Sequence, residues 1–381
     1  MSLSRGIDAW VPPALRSCVR RSRSALAALG AIRGYRARTF FPEEAKKDRA
    51  RIARELLITS WRWGRLGPVV DTYFAFGLDR RDRKLADYVF LEEFGRIKDA
   101  LNSHVYDYNS ILNNKVVTSA LLRSGGIPVP NLIGRIERME GRLYLSAEGE
   151  SRLLRDVIGR LELRGFCKPL AGTGGQGAFV LESSGGRIDV DGKEVSWEEF
   201  ERRITPPMIL ETLVDQHEAL AALHPRSINT IRVVTVRKSV QEIILLTAFQ
   251  RIGTGGRSVD NAHSGGLFVP VSPDGRLMAV GHRKPNFGTT ARTHPDTQVI
   301  FEGYRLPYYE ESVSLAKRAH AFIGDVHSVG WDIAVTPGGP LIIEANADWD
   351  VLMAQQLYGG MRVKFEEHFV SRYRKLGLGS R

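Results

Sequence analysis

Apolar and polar positions change period several times along the chain. Over 42–60, Ile52, Leu56 and Leu57 recur at helical spacing behind Pro42 and the acidic pair Glu43 and Glu44, so this stretch is predicted to be a helix. Residues 61–80 are rich in glycine and aromatic residues, with Trp61, Trp63, Tyr73 and Phe74, and a second helical stretch covers about 81–100. From Asn109 the pattern alters. A helix over 113–123 ends at Gly125 and Gly126 and leads into extended chain at Pro128 and Pro130. Arg142–Ser146 reads as a strand, 149–163 as a helix, and 197–201 as a short helix. Met208–Val214 is a buried strand by its apolar run, while Ile231–Val236 and Glu242–Ala248 alternate as an antiparallel pair does. A glycine-rich loop over 253–266 and a helix over 310–323 follow. Two strands, Trp331–Val335 and Leu341–Ala345, then flank Pro337-Gly-Gly-Pro340. Mixed helices and hairpins without repeats describe an α/β (α+β) protein.

The 381 residues suffice for two or three domains. The expected division is an N-terminal, helical, basic region over 1–104, a part with the glycine loop over 105–209, and a C-terminal part over 210–381. With 43% hydrophobic and 25% charged residues the chain is globular rather than disordered. The formal net charge of +11 suits anionic partners, and much of it lies before residue 85. No nucleic-acid-binding motif accompanies that charge, so nucleic acid is not an expected partner. Residues 19–33 place arginines ahead of a short apolar run, which reads as a basic helix able to touch a membrane surface peripherally. Two cysteines, Cys18 and Cys167, make neither a disulfide framework nor a zinc pattern and fit a reducing cytoplasm.

The most informative stretch is Phe166–Glu182. Lys168 precedes four glycines within six residues, Gly172, Gly174, Gly175 and Gly177. Backbone without Cβ approaches an anion closely, and a lysine adds a point charge for phosphate. The glycines match a dinucleotide fingerprint by spacing, but that fingerprint needs a following helix, and here the chain continues as a strand. No Gly-Lys-Ser/Thr ends the loop, so it is not a Walker A sequence either. A strand, a glycine loop and a second strand make a flap over a nucleotide.

The last hairpin carries the second candidate. Symmetry about Gly338 sets Asp332 opposite Glu344, and the period of two puts Asn346 on the same face. Two carboxylates and an amide oxygen then converge, a hard-oxygen set suited to Mg²⁺ shared with substrate phosphates. Without the metal the two acids should repel, and one should titrate high. Lys115, Lys168, Arg232 and Arg251 are the cations available to phosphates; Arg232 and Arg251 interrupt apolar strands, which is costly unless they meet an anion. The loop Asn261-Ala-His263-Ser-Gly-Gly266 adds polar groups.

Taken in order, Lys115, Lys168-Pro-x-x-Gly-x-Gly-Gly-x-Gly, Glu211-x-x-Val214, Asn261-x-His263-x-Gly-Gly, Asp332 and Glu344-x-Asn346 resemble the ATP-grasp superfamily. Tyr73–Gly77 and Leu223-His-Pro-x-Ser-x-Asn-Thr230 extend the likeness to its sugar-transfer-associated group, related to α-L-glutamate ligases, with the core over about 105–355. The resemblance implies two α+β subdomains clasping ATP after a helical N-terminal region. It implies that Lys115 and Lys168 contact phosphates under the glycine loop, and that Glu211 to Val214 form the adenine hinge, with Glu218 at the ribose. Arg232, Arg251, Asn261 and His263 would line the phosphoryl-transfer and acceptor region, and Asp332, Glu344 and Asn346 would hold Mg²⁺, with Mn²⁺ as a substitute. One departure stands out: D-Ala–D-Ala-type ligases carry Arg two residues before the metal Asp, and this chain has Gly330. The implied activity is ADP-forming ligation of a carboxylate to an amine through an acylphosphate, on small or glycan-linked, cell-envelope substrates. A small-molecule kinase and a non-catalytic nucleotide-binding protein remain as alternatives. The kinase lacks its Asp, since Arg226 stands where His-x-Asp requires it.

Overall fold

A computed structural model of the chain describes residues 39–41, 44–63, 66–170, 175–205, 207–255, 260, 265–284 and 290–378. The expected basic helix over 19–33 lies outside them. Contacts divide the chain into two compact units. One runs to Arg96 and takes in Asp350–Val370; the other comprises Ile97–Arg283, Ala291–Trp349 and the stretch from Ser371. No helix among the described residues is long and apolar enough to cross a membrane.

The first unit is helical. Helices Arg49–Trp63 and Leu66–Ala75 bury Ile52, Leu56, Val70, Tyr73 and Phe74 in one cluster. The helix expected from residue 42 begins at Arg49 because the chain before it is used otherwise. Lys46 bridges to Arg80, and the Lys47 amide donates to the Asp79 carbonyl (2.9 Å). Glu55 projects from that helix and accepts from the Tyr73 hydroxyl (2.6 Å) and from Lys47 Nζ (2.7 Å). The stretch expected as a helix over 81–100 forms one 3-10 turn at Leu85–Asp87 and then the helix Leu91–Asn102.

Among the described residues the second unit holds two sheets. Eight strands form the first: β1 (Leu132–Met139), β2 (Arg142–Ala147), β3 (Glu150–Leu153), β4 (Leu163–Pro169), β5 (Phe179–Ser184), β6 (Arg187–Val190), β7 (Lys193–Val195) and β8 (Met208–Glu211). Their order is β3-β2-β1-β8-β4-β5-β6-β7. β4 and β5 pair antiparallel across the glycine loop, as the flap requires. β8 lies between β1 and β4, so the chain leaves this sheet after Glu211. The helix expected over 149–163 is shorter, Leu154–Arg160, because Glu148 and Gly149 turn the chain at positive φ and β3 pairs back on β2. Ile136, Leu154, Ile158, Leu181, Phe200 and Leu210 fill this sheet's core.

Seven strands form the second sheet: β9 (Ile231–Arg237), β10 (Ile243–Ile252), β11 (Leu267–Pro270), β12 (Gly281–His282), β13 (Thr290–Ala291), β14 (Ser328–Thr336) and β15 (Gly339–Asn346), in the order β13-β12-β11-β10-β9-β14-β15. Cross-strand partners share a face, so register sorts the side chains. Trp331 pairs with Val233, and Val233 with Ala248; these join Leu315, Ala316 and Ala319 of the helix Tyr309–Ile323 in the core. Asp332 pairs with Arg232, and Arg232 with Phe249, two residues before Arg251, so these lie on the opposite face. The apolar side has one polar thread. Trp331 Nε1 donates to Thr235 Oγ1 (2.8 Å), which contacts His320 Nδ1 (2.7 Å), while His320 Nε2 meets the Val326 carbonyl (2.9 Å).

The β14–β15 hairpin closes at Thr336 opposite Gly339. A regular ladder from that turn would set Asp332 against Ile343. A bulge intervenes: Ile333 pairs with Ile342 and Asp332 with Glu344, leaving Ile343 as the extra residue. The expected pairing of Asp332 with Glu344 therefore holds, although by way of a bulge rather than by symmetry about Gly338.

Candidate functional site

A cavity of about 480 Å³ draws its lining from both sheets of the second unit. That is the size of a small-molecule site. Phe166 and Val180 of β4 and β5, Leu213 and Val214 after β8, and Ile343 of the bulge give it apolar walls. The bulge turns Ile343 and Glu344 both toward the cavity, so an apolar wall and a carboxylate come from consecutive residues. After β8 the chain runs extended beside the cavity. There Thr212 is pinned to Asn131, its amide donating to the Asn131 carbonyl (2.9 Å) and its Oγ1 accepting from the Asn131 amide (3.1 Å). Gly165 permits this close packing, since a Cβ there would stand 2.6 Å from the Glu211 carbonyl oxygen.

Lys168 and Glu211 both line the cavity and pair at 2.7 Å, with side chains 8% and 5% exposed. Register puts Lys168 beside Ile209, two residues from Glu211 on β8. Such a pair keeps a cation dry and oriented without leaving an uncompensated charge. Lys115, at the start of the helix Lys115–Ser124, reaches the cavity and lies 3.4 Å from Glu344 Oε1. Gly175 lines the cavity with φ +64°, and Gly177 has φ +73°, both in the region that favours glycine. Burial pushes the Cys167 thiol up to about 12, which leaves it a packed side chain without nucleophilic character.

Asp332 is the electrostatic centre. Arg232 donates to it twice, Nε to Oδ1 (2.5 Å) and NH2 to Oδ2 (3.0 Å). Arg251 NH1 reaches Oδ2 at 2.8 Å, and Asn346 Nδ2 lies 3.3 Å from the same oxygen. Burial works to raise the Asp332 carboxyl, but the two guanidiniums outweigh it and lower it to about 2. The sequence led us to expect that one of the opposed acids would titrate high; Asp332 is instead lowered, because Arg232 and Arg251 supply the counter-charge. Arg251 in turn sits between Asp332 and Asp260, whose Oδ1 accepts from Arg251 NH2 at 2.9 Å. Burial disfavours the Arg251 charge, yet Asp260 and Asp332 together raise its pKa above the ordinary arginine value.

The sequence-expected residues divide accordingly. Lys115, Lys168, Gly175, Glu211, Val214, Arg251, Asp332 and Glu344 line one cavity. Arg232 and Asn346 touch Asp332 but are not among its lining residues. Glu218, expected at a ribose, opens the helix Glu218–Leu223 as an exposed residue away from the lining, and Asp215 and Gln216 stand at the cavity instead. Gly172, Gly174, Asn261 and His263 lie outside the described residues.

Gly330 stands two residues before Asp332, at the position where the sequence departs from D-Ala–D-Ala-type ligases. A Cβ there would lie 2.7 Å from Trp349 Cβ, so the position has no room for any side chain. Trp349 is held over it by a bond from Nε1 to Ser328 Oγ (3.1 Å). Lys98 secures the intervening chain, donating to the Ala347 carbonyl (3.1 Å) and Asp348 Oδ1 (2.6 Å).

Sequence reasoning missed Asp260, Thr230, Asp215, Gln216 and Arg226, all of which line the cavity. An acid directly before Asn261 was the available signal for Asp260. Behind the lining, Ser227 Oγ donates to Asn229 Oδ1 (3.0 Å) and contacts His224 Nδ1 (2.9 Å), while the Gly253 amide donates to Asn229 Oδ1 (3.1 Å). The run Leu223–Thr230 thus fixes the loop before β9 to the end of β10.

Residues 97–366, more than half of the chain, match the family described as sugar-transfer associated ATP-grasp. No curated protein matches. Among solved structures, D-alanine–D-alanine ligase from Bacillus anthracis is 16% identical, with 71% of each chain covered and a TM-score of 0.38. L-amino acid ligase from Bacillus licheniformis is 13% identical over 62% of this chain and 41% of that one, with a TM-score of 0.32. N5-carboxyaminoimidazole ribonucleotide synthetase from Thermotoga maritima is 13% identical over 66% of this chain, with a TM-score of 0.34, and the match covers 48% of that structure, about half its length. With its two antiparallel sheets, the glycine flap on one and the acid–arginine cluster on the other, the chain belongs to the sugar-transfer-associated ATP-grasp family.

Proposed function

We propose that this protein is an ATP- and Mg²⁺-dependent ligase that joins a carboxylate to an amine through an acylphosphate. The observation that carries the reading is one cavity with apolar walls between the Lys168–Glu211 pair and the cluster of Asp332, Glu344 and Arg251. An adenine ring fits the walls of Phe166, Val180, Leu213, Val214 and Ile343. Lys168 and Lys115 then serve the phosphates, and Asp215 and Gln216 the ribose.

The donor set suits the metal. Two carboxylates opposed across a hairpin, with an amide beside them, are hard oxygen ligands. Mg²⁺ is commonly held by one or two carboxylates together with substrate phosphates, as these residues would allow. A bound Mg²⁺ supplies charge neutralisation for the transferring phosphoryl group. Mn²⁺ is the natural substitute.

In the reaction, a substrate carboxylate oxygen attacks the γ-phosphorus as the bond to the β-bridging oxygen breaks and ADP leaves. The amine lone pair then attacks the acyl carbon, the carbon–oxygen bond to phosphate breaks, and the nitrogen loses a proton. Arg251, held dry, offsets charge on the phosphoryl oxygens in the first step. Closing of the glycine flap keeps water from the acylphosphate. The family's description favours a sugar-linked acceptor, a cell-envelope precursor being one such substrate, and the use of ATP favours a cytoplasmic site of action. The expected outcome of an acid–amine screen is ADP release that requires both partners, with an amide found by mass spectrometry. Release of AMP and pyrophosphate would exclude the acylphosphate route, and a phosphorylated hydroxyl product would identify a kinase.

A further inference from the structure

We propose that Asp260 is a positioning residue that keeps Arg251 aimed into the cavity when Asp332 turns from the arginines to a metal ion. The inference rests on the reading of Asp332 as a metal ligand.

In the structure Asp332 serves two guanidiniums at once. A divalent cation on that carboxylate competes with both, because each oxygen already accepts from an arginine. The two arginines differ in what remains to them. Among the described residues Asp332 is the acid that pairs with Arg232, so Arg232 is set loose. Arg251 has a second acid: its NH2 lies 2.9 Å from Asp260 Oδ1.

Asp260 is itself anchored. Its Oδ2 accepts from the Thr230 amide (2.9 Å) and the Thr230 hydroxyl (2.5 Å), and the Arg251 amide donates to the Thr230 carbonyl (2.8 Å). The carboxylate is thus a strut between the chain entering β9 and the side chain on β10. It is 8% exposed, so water does not take its place. A guanidinium freed in so dry a setting would fall onto Glu344, a further acid of the cavity whose charge already acts on Arg251. Asp260 prevents this and leaves Arg251 facing the transferring phosphoryl group. Trp349 closes the alternative position at Gly330, so the strut serves an arginine the hairpin cannot supply.

A merely structural acid and a positioning acid differ in their metal dependence. The probes are ADP and the non-hydrolysable triphosphate AMP-PNP, titrated calorimetrically into wild type and Asp260→Asn, with Mg²⁺ and with EDTA. With Mg²⁺ the wild type should prefer AMP-PNP over ADP, and Asp260→Asn should lose about tenfold or more of that preference, the worth of one charge-assisted hydrogen bond. With EDTA, Asp332 still holds Arg251, and the variant should keep the wild-type ratio between the two affinities, whatever change the two nucleotides share. An unchanged preference in the variant with Mg²⁺, or an equal loss with EDTA, overturns the role of Asp260 alone. Wild type that binds neither nucleotide overturns the reading of the site itself. If Asp260→Asn does not fold, Thr230→Val removes one anchor of the same carboxylate and should reduce the Mg²⁺-dependent preference less, in the same direction. No reduction there also overturns the proposal.

Discussion

Two buried groups give the protein a defined response to acid. Burial, with Arg237 adding to it, lowers His320 to about 4, although its bond to the Val326 carbonyl works the other way. Its folded pKa lies below the unfolded value, so the unfolded chain binds the proton first. Stability is full above about pH 6.5 and falls as pH drops toward 4, by about 3 kcal/mol in all. His224 and His294, lowered chiefly by burial, act in the same direction. Asp332 follows: its stability contribution is present above about pH 4 and is lost as pH falls through its folded value near 2. Urea unfolding between pH 7.5 and 4.5 should show the first loss, and His320→Gln should flatten it. A free energy constant over that range would contradict the buried neutral imidazole. Residue by residue, the sequence disclosed Arg232 and Arg251 as charges interrupting apolar strands, Lys168 by the glycines that follow it, and Asp332 and Glu344 by their places in the last hairpin. It did not disclose what they touch. That Asp332 holds two arginines, or that Asp260 stands behind Arg251, depends on side chains brought together from 9 to 100 positions apart.

At the scale of elements, hairpins were legible because their period and turn residues are local. β9 with β10 and β14 with β15 followed from alternation and from Pro337-Gly338. The bulge at Ile343 was not, since an extra residue in an apolar run leaves no mark on composition. The helix expected over 149–163 lost its first turn for a related reason: β2 offered Glu150–Leu153 a pairing partner that outweighed helical propensity. Gly330 is the element-level feature most open to test. Gly330→Ala puts a Cβ 2.7 Å from Trp349 Cβ on β14, and the overpacking should cost about 1–3 kcal/mol in urea unfolding. Arg232 Cδ lies 3.7 Å from the same Cβ position, an ordinary contact, so the clash is with Trp349 alone. A variant as stable as wild type would mean that Trp349 moves freely, and the account of the missing arginine would fail.

For the whole molecule, the cavity lies within one unit. Every lining residue falls between Lys115 and Glu344, inside the unit of Ile97–Arg283 and Ala291–Trp349. A ligand protects what it binds, so MgATP should slow amide hydrogen exchange in β4, β5 and Thr212–Gln216. The helices Arg49–Trp63 and Leu66–Ala75 should exchange as before, and EDTA should remove most of the effect. Protection confined to those two helices would put the nucleotide elsewhere. The chain order of this unit was visible in the sequence, whereas the return of Asp350–Val370 to the N-terminal unit was not. That return rests on contacts such as the Gln355 amide, which accepts from the Val89 amide (2.8 Å) and donates to its carbonyl (2.7 Å).

β14 alternates between two trades. Trp331 and Ile333 belong to the core, and Asp332 between them to the cavity. Slipping that strand by one residue against β9 would drive an acid into the oil and expose a tryptophan, so the faulty pairing is rejected on stability before catalysis is ever asked of it. The protein needs no separate step to assemble this half of its site: the hydrophobic face proofreads the polar one. For evolution the consequence is a strand read like interlinear text, in which substitutions on alternate lines tune abundance and chemistry almost independently, while an insertion or deletion of one letter garbles both.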